Sequence, residues 1–236
     1  PLSLNDPYDC EPPLIFGQQS SAFLIGEFYD GLKTHKLDNA VLGMSREAFL
    51  SAWNHDSVNL EKRVQAELQK QINKEIGIYC LTTRPDSIQM WSYYANKHQG
   101  IVLEFNFHEF LVTDRVISSG GEIDNYYWKV NYPKKNTFLD FLRQGDPMTK
   151  NLFGQLITKA PAWKHENEYR VIMPQAGLHN MNPKAITRII FGMKTSDEER
   201  LTLIKLLSKL DYPNLKFAYA FPDTDKFKIR IKNYKV

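Results

Sequence analysis

The feature that most constrains the fold is the order of strand and helix patterns along the 236 residues. Short apolar runs rich in β-branched and aromatic residues, typical of β-strands, outnumber helical patterns and do not alternate with them one for one. A doubly wound parallel sheet needs that alternation, so the sequence predicts an α+β fold with mostly antiparallel β-sheets and about four flanking helices. The predicted strands are 78–83, 101–107, 115–118, 126–132, 166–173, 187–191, 215–221 and 226–232.

Helix signals appear in four places along the chain. Ser45 caps a helix over 44–53, and an amphipathic helix follows over 60–76. Asp86 begins a capping-box pattern for a helix that ends at Gly100, and Ser196 begins another such pattern. No linker rich in proline, glycine or serine divides the chain. The sequence therefore predicts one domain over residues 1–236, with an excursion at about 134–160 where the pattern is polar and weak.

Composition narrows the function classes. A net charge of +3 is too small to indicate nucleic-acid binding. The alternating basic strand 227–232 is typical of a charged edge strand, with a phosphate track as the alternative. Two distant cysteines predict neither a disulfide framework nor a metal site.

We expect a cytoplasmic protein, because no apolar run could cross a membrane and no signal peptide opens the chain. Glycine-rich nucleotide loops, zinc-protease motifs and a nucleophile elbow are also absent.

The run from Trp163 to Met173 carries the strongest functional pattern. If it is a strand, Glu166, Glu168 and Arg170 lie on one face, with the two carboxylates about 6–7 Å apart. Paired carboxylates suit chemistry through a sugar oxocarbenium ion, where one stabilises positive charge and the other handles a proton. The same pattern is typical of the solvated face of an ordinary strand.

A second pattern lies in the predicted helix that begins at Asp86. Trp91, Tyr94, Ala95 and His98 recur at helical spacing and would share a face. Such a face can stack on a base and offer a hydroxyl and an imidazole to a ligand. It can equally pack as an aromatic helix face on a sheet.

Together these motifs resemble a bacterial family catalogued as domain of unknown function 2971. The resemblance rests on five segments: 5–9 (Asn-Asp-Pro-Tyr-Asp), 90–95 with His98 and Gly100, Trp163, 166–170, and 189–192. Family members usually carry a further strand and helix before the Asn-Asp-Pro turn. A more distant similarity, in the order of elements, is to ADP-ribosyltransferases, which implies a split-sheet arrangement.

The distant similarity implies roles for individual residues. Glu168 would stabilise the oxocarbenium ion, and Glu166 would orient or deprotonate the acceptor. Thr82 or Tyr94 would shape the nicotinamide pocket, with Trp91 or His98 nearby. The resulting set of NAD-binding residues is Asn5, Thr82, Trp91, Tyr94, His98 and Arg170.

The resemblance thus implies an ADP-ribosyltransferase-like enzyme that uses NAD to modify a protein or a nucleic acid, as a toxin or in phage defence. Two alternatives remain open. In a metal-dependent nuclease or nucleotide hydrolase, Glu104, Glu166 and Glu168 would hold Mg²⁺. In a non-catalytic binding module, Glu166, Glu168 and Arg170 would form structural ion pairs.

Overall fold

The structure is a computed structural model that describes residues 14–15, 22–34, 43–106, 109, 117–118, 121–122, 127–134, 139–140, 153–173, 176–210, 212 and 215–234. These residues form two mostly antiparallel sheets, of three and four strands, together with several helices. The predicted α+β class is therefore confirmed. No helix within these ranges combines the length and the apolar character that crossing a lipid bilayer requires.

Every predicted strand overlaps an observed one, although the ends differ. The strands are β1 (Leu14–Ile15), β2 (Gly77–Thr82), β3 (Ile101–Phe105), β4 (Ile117–Ser118), β5 (Gly121–Glu122), β6 (Tyr127–Lys129), β7 (Leu139–Asp140), β8 (Glu168–Met173), β9 (Ile186–Phe191), β10 (Lys216–Pro222) and β11 (Ile229–Asn233). The helices are α1 (Ala22–Thr34), α2 (Arg46–Glu75), α3 (Ile88–Tyr94) and α4 (Asp197–Leu207), with 3-10 helices over Pro161–Glu166 and Pro183–Ala185.

The chain divides into two compact units. The first unit comprises Pro1–Leu81, Asn125–Lys164 and Glu168–Ala176, and the second comprises Thr82–Asp124, His165–Asn167 and Gly177–Val236. A division into compact units does not test whether the chain folds as one domain. The single domain predicted over 1–236 therefore stays a prediction.

In the first unit, α1 and α2 pack through a buried cluster of apolar side chains that includes Phe28, Leu32, Phe49 and Trp53. The helix α2 is broken at Asp56, which has a non-helical φ of −153°. The Asp56 carboxylate accepts a hydrogen bond from the backbone N–H of residue 59 at 3.3 Å, as an N-cap does. The helices predicted over 44–53 and 60–76 are therefore both present and meet end to end, whereas α1 lies in a segment with no predicted helix.

The three-stranded sheet of the first unit has the order β2-β8-β6. Its strands β6 and β8 are antiparallel, with Trp128 opposite Arg170. Leu156 packs beneath Ile78 and Ile172 of this sheet. Part of the segment that the sequence predicts as an excursion, 153–160, thus contributes to the core of this unit.

The second unit contains the four-stranded sheet, in the order β11-β10-β9-β3. Neighbouring strands β9 and β10 are parallel and are connected through α4, whereas β3 and β11 run antiparallel to their neighbours. Ser196 and Glu199 form the predicted capping box at the start of α4. Leu203 and Leu207 pack on the sheet, whereas Leu206 is exposed, so the apolar face of α4 is narrower than its sequence indicates.

The helix α3 differs from the prediction at both ends. Ser87, rather than Asp86, is its N-cap, and the helix ends at Tyr94 instead of at Gly100. The chain then turns through Asn96, Lys97 and His98, which all have positive φ (45°, 52° and 72°). The left-handed backbone conformation expected at Gly100 is therefore adopted by three residues that carry side chains. Each of them costs about 1–2 kcal/mol of conformational free energy.

Candidate functional site

The two glutamates of the predicted catalytic pair belong to different local structures. Glu166 ends the 3-10 helix over Pro161–Glu166, Asn167 has a positive φ of 45°, and β8 begins at Glu168. The prediction that Glu166 and Glu168 share one strand face is therefore wrong. The left-handed residue between them interrupts the two-residue alternation on which the prediction depended.

Glu168 belongs to the first unit, where two cations surround its carboxylate. Oε1 accepts a hydrogen bond from Nε of Arg170 at 2.7 Å, and Oε2 accepts from Nη2 of Arg170 at 3.3 Å. Nζ of Lys159 lies 3.2 Å from Oε2. All three side chains are buried, so this is a buried ion-pair triad rather than a solvated strand face.

Burial raises the pKa of Glu168, but its hydrogen bonds and charged neighbours outweigh burial. The hydrogen bonds from Arg170, the positive charges of Arg170 and Lys159, and a hydrogen bond with Cys80 bring the pKa below its ordinary value of 4.5. The carboxylate is therefore ionised at neutral pH.

The partners of Glu168 are themselves held in place. Nη1 of Arg170 donates to the carbonyl oxygen of Leu156 at 2.6 Å, and Nζ of Lys159 lies 5.1 Å from the ring centroid of Trp163. The backbone N–H of Glu168 donates to the hydroxyl of Tyr132 at 3.0 Å. These contacts are those of a structural ion pair, whereas the roles predicted for Glu168 in catalysis and for Arg170 in NAD binding stay predictions.

Glu166 belongs to the second unit and has a different environment. Its side chain is 2% exposed, and Oε1 accepts a hydrogen bond from the phenol of Tyr94 at 2.7 Å. The Tyr94 side chain is 52% exposed. A buried carboxylate is thus joined to the hydroxyl of a half-exposed tyrosine, an arrangement that can move a proton between the interior and a bound molecule.

Hydrogen bonds from the start of the second unit fix the backbone around Glu166. The hydroxyl of Thr82 donates to the carbonyl oxygen of Glu166 at 2.6 Å and accepts from the backbone N–H of Arg84 at 3.0 Å. The side-chain amide of Asn167 donates to the hydroxyl of Thr83. Thr82, predicted to shape a nicotinamide pocket, thus holds the Glu166 backbone, and its contact with NAD stays a prediction.

Trp91 and Ala95 do not share an open face with Tyr94. Trp91 is 1% exposed and packs with Ala95 and Ile190 in the core of the second unit. Its indole N–H donates to the carbonyl oxygen of Pro85 at 2.7 Å. The packing alternative accounts for Trp91, because a ring enclosed in this way offers no face to a ligand.

His98 is anchored through its backbone beyond the end of α3. Its N–H donates to the carbonyl oxygen of Trp91 at 3.2 Å, and its carbonyl oxygen accepts from the N–H of Lys194 at 3.0 Å. Burial, together with the positive charge of Lys194, lowers the pKa of the imidazole from 6.5, so it is neutral at pH 7. Among the described residues, Nδ1 of His98 is buried and accepts or donates no hydrogen bond. NAD binding by His98 stays a prediction.

The remaining predicted residues do not complete a site. Asn5 lies outside the described residues. In the described part of the chain, no three His, Cys, Asp or Glu residues come together to hold a metal ion. Glu104, which the hydrolase alternative needs for Mg²⁺, instead forms an ion pair with Arg188.

Sequence reasoning missed the buried Lys159 and the tyrosine–glutamate hydrogen bond. Lysine is rarely fully buried, and no local pattern distinguishes Lys159 from a surface lysine. Tyr94 and Glu166 are 72 residues apart, so their contact leaves no trace in either segment.

Comparison with known proteins gives one match. No curated protein and no solved structure matches the chain. The relation to ADP-ribosyltransferases therefore receives no support from these comparisons. The match is to a family model and includes three of the five segments on which the resemblance rests: 90–95 with His98 and Gly100, Trp163, and 166–170. Residues 90–171 of the chain match the model of the family described as "Protein of unknown function (DUF2971)".

Proposed function

We propose that this protein is an enzyme of the ADP-ribosyltransferase type, which transfers the ADP-ribosyl group of NAD to a protein or a nucleic acid. The observation that carries the proposal is the hydrogen bond between the buried carboxylate of Glu166 and the exposed phenol of Tyr94. Such a reaction needs a base at the acceptor, and the hydroxyl of a half-exposed tyrosine, backed by a buried carboxylate, can supply one.

In the proposed reaction, the bond between the ribose C1′ and the nicotinamide nitrogen breaks, and its electron pair leaves with nicotinamide. A hydroxyl or amine of the acceptor forms the new bond to C1′. Its proton passes to the phenol oxygen of Tyr94, while the phenol proton passes to Glu166. Because Glu166 is buried and its backbone is held by Thr82, the carboxylate needs little reorganisation when the proton arrives.

This assignment keeps the predicted role of Glu166 and changes that of Glu168. Glu166 takes up the proton, which agrees with its predicted role in deprotonating the molecule that accepts ADP-ribose. Glu168 supports β8, because two cations already neutralise its charge. A role as toxin or phage-defence effector is part of the same proposal, since transfer of ADP-ribose to a cellular acceptor would inactivate that acceptor.

The test measures nicotinamide release from labelled NAD in the presence of protein and nucleic-acid acceptors. Tyr94→Phe removes only the hydroxyl and should lower the rate by about 100-fold or more, the usual contribution of a general base. Tyr93→Phe is the matched control, because Tyr93 is an exposed neighbour in ring contact with Tyr94 and should leave the rate unchanged.

Two results would refute the proposal. One is the absence of nicotinamide release with every acceptor tested, which would favour the non-catalytic binding module. The other is an equal rate for Tyr94→Phe and the unaltered protein.

A further inference from the structure

A polar row crosses one face of the four-stranded sheet in the second unit. Glu104 on β3 lies opposite Arg188 on β9, and Arg188 lies opposite Lys216 on β10. Two residues further along the strands, the same face carries Ile190 and Ala218, which are buried with Trp91. The face is therefore apolar at one end, where α3 covers it, and polar at the other.

A cavity of about 670 Å³ opens over the polar end. This volume falls within the range of about 300–1,000 Å³ that is typical of small-molecule sites. The described residues that line it all belong to the second unit: Glu104, Asn106, Glu109, Lys184, Thr187, Arg188, Leu215, Lys216 and Asn233.

The floor of the cavity is fixed by Arg188. Its Nε donates to Oε2 of Glu104 at 3.1 Å, and its Nη2 donates to the same oxygen. Its Nη1 donates to Oδ1 of Asn233 at 3.2 Å, so the guanidinium ties β9 to both edge strands. Because Glu104 neutralises Arg188, the floor is rigid and carries little net charge.

The walls carry an excess of positive charge. Lys216 is exposed on β10, and Lys184 is exposed on the 3-10 helix over Pro183–Ala185. The N-cap bond from the N–H of Lys184 to Oδ1 of Asn182, 3.0 Å long, fixes that helix. Among the described residues that line the cavity, one further carboxylate faces these two ammonium groups. It is that of Glu109, which accepts a hydrogen bond from the Asn182 amide at 3.0 Å.

We propose that this cavity, which we call the polar-row site, binds a nucleoside monophosphate. The ammonium groups of Lys184 and Lys216 would contact the phosphate, since lysine binds phosphate as a point charge. The carboxylate of Glu109 would accept hydrogen bonds from the ribose hydroxyls, and the amide of Asn106 would bond to the base. The site shares no residue with the Glu166–Tyr94 pair, and the proposal does not depend on ADP-ribosyl transfer.

The test is a calorimetric titration of the protein with AMP, adenosine and inorganic phosphate. We expect saturable one-to-one binding of AMP and binding of adenosine weaker by about tenfold or more, because adenosine lacks the charge-assisted contacts. The double variant Lys184→Gln/Lys216→Gln should lose affinity for AMP by about tenfold or more for the same reason.

A matched control separates the site from general attraction between charges. Lys205→Gln/Lys209→Gln removes two exposed lysines of the same unit outside the cavity and should bind AMP as the unaltered protein does. The proposal is overturned by absence of AMP binding, by equal AMP affinity of the first double variant, or by an equal loss in both double variants. Because the titration involves no turnover, its outcome does not bear on the transferase proposal.

Discussion

Replacing Glu168 by glutamine should destabilise the protein strongly. The substitution keeps the shape of the side chain but leaves the buried cations Lys159 and Arg170 without their counter-ion. Arg170 retains its bond to the carbonyl oxygen of Leu156, whereas the new amide can offer only one oxygen where the carboxylate offered two. Breaking a buried pair by removing one partner costs about 3–5 kcal/mol, and we expect Glu168→Gln to lower the free energy of unfolding by that amount.

The measurement is urea unfolding at pH 7, followed by circular dichroism and fluorescence. Asp30→Asn provides a control, because the Asp30–Arg46 pair has the same separation between nitrogen and oxygen, 3.2 Å, as the Lys159–Glu168 pair. The Asp30–Arg46 pair is exposed, so its loss should cost less than about 1 kcal/mol. A loss below about 1 kcal/mol for Glu168→Gln would refute the reasoning, since burial would then confer no additional cost.

The pH dependence supplies a second readout of the same interaction. The folded-state pKa of Glu168 lies below 4.5, so its ionised form contributes stability that is fully present above 4.5. That contribution is lost as the pH falls from 4.5 through the lower folded-state pKa. The stability difference between the unaltered protein and Glu168→Gln should therefore shrink over this acidic range. A difference that stays constant would contradict the assigned ionisation.

Two further predictions concern the close packing around the turn after α3. Gly192→Ala should lower the free energy of unfolding by about 1–3 kcal/mol in urea unfolding, because a Cβ there would overlap the carbonyl group of His98. Gly31→Ala in α1, where the added Cβ meets no atom within 4 Å, should instead raise the free energy of unfolding by about 0.5–1 kcal/mol. A change of the same sign for the two substitutions would contradict the packing argument. By NMR titration the imidazole of His98 should have a pKa below 6.5, and Lys194→Met should raise it only part of the way because burial is the larger cause. The unfolded chain binds the His98 proton more readily than the folded chain does. His98 should therefore make the free energy of unfolding fall as the pH drops below 6.5. A folded-state pKa at or above 6.5 would contradict this pH dependence.

Most of the strands and the N-cap of α4 were predictable because they depend on neighbouring residues. The alternation in β9, β10 and β11 locates these strands to within about three residues. The capping box of Ser196 and Glu199 depends only on residues at the start of the helix. The helix α1 was not predicted, since Gly26 and Gly31 lower its helical propensity and packing against α2 has to compensate for them.

The candidate site was less predictable. The sequence alone determined the α+β class, the approximate positions of eight strands along the chain and the family match that includes Glu166 and Glu168. Only the tertiary structure decided that Glu168 is enclosed by cations and that Glu166 bonds to an exposed phenol. The physical reason is that burial and partners across long sequence separations set the chemistry of a carboxylate, and a local pattern contains neither.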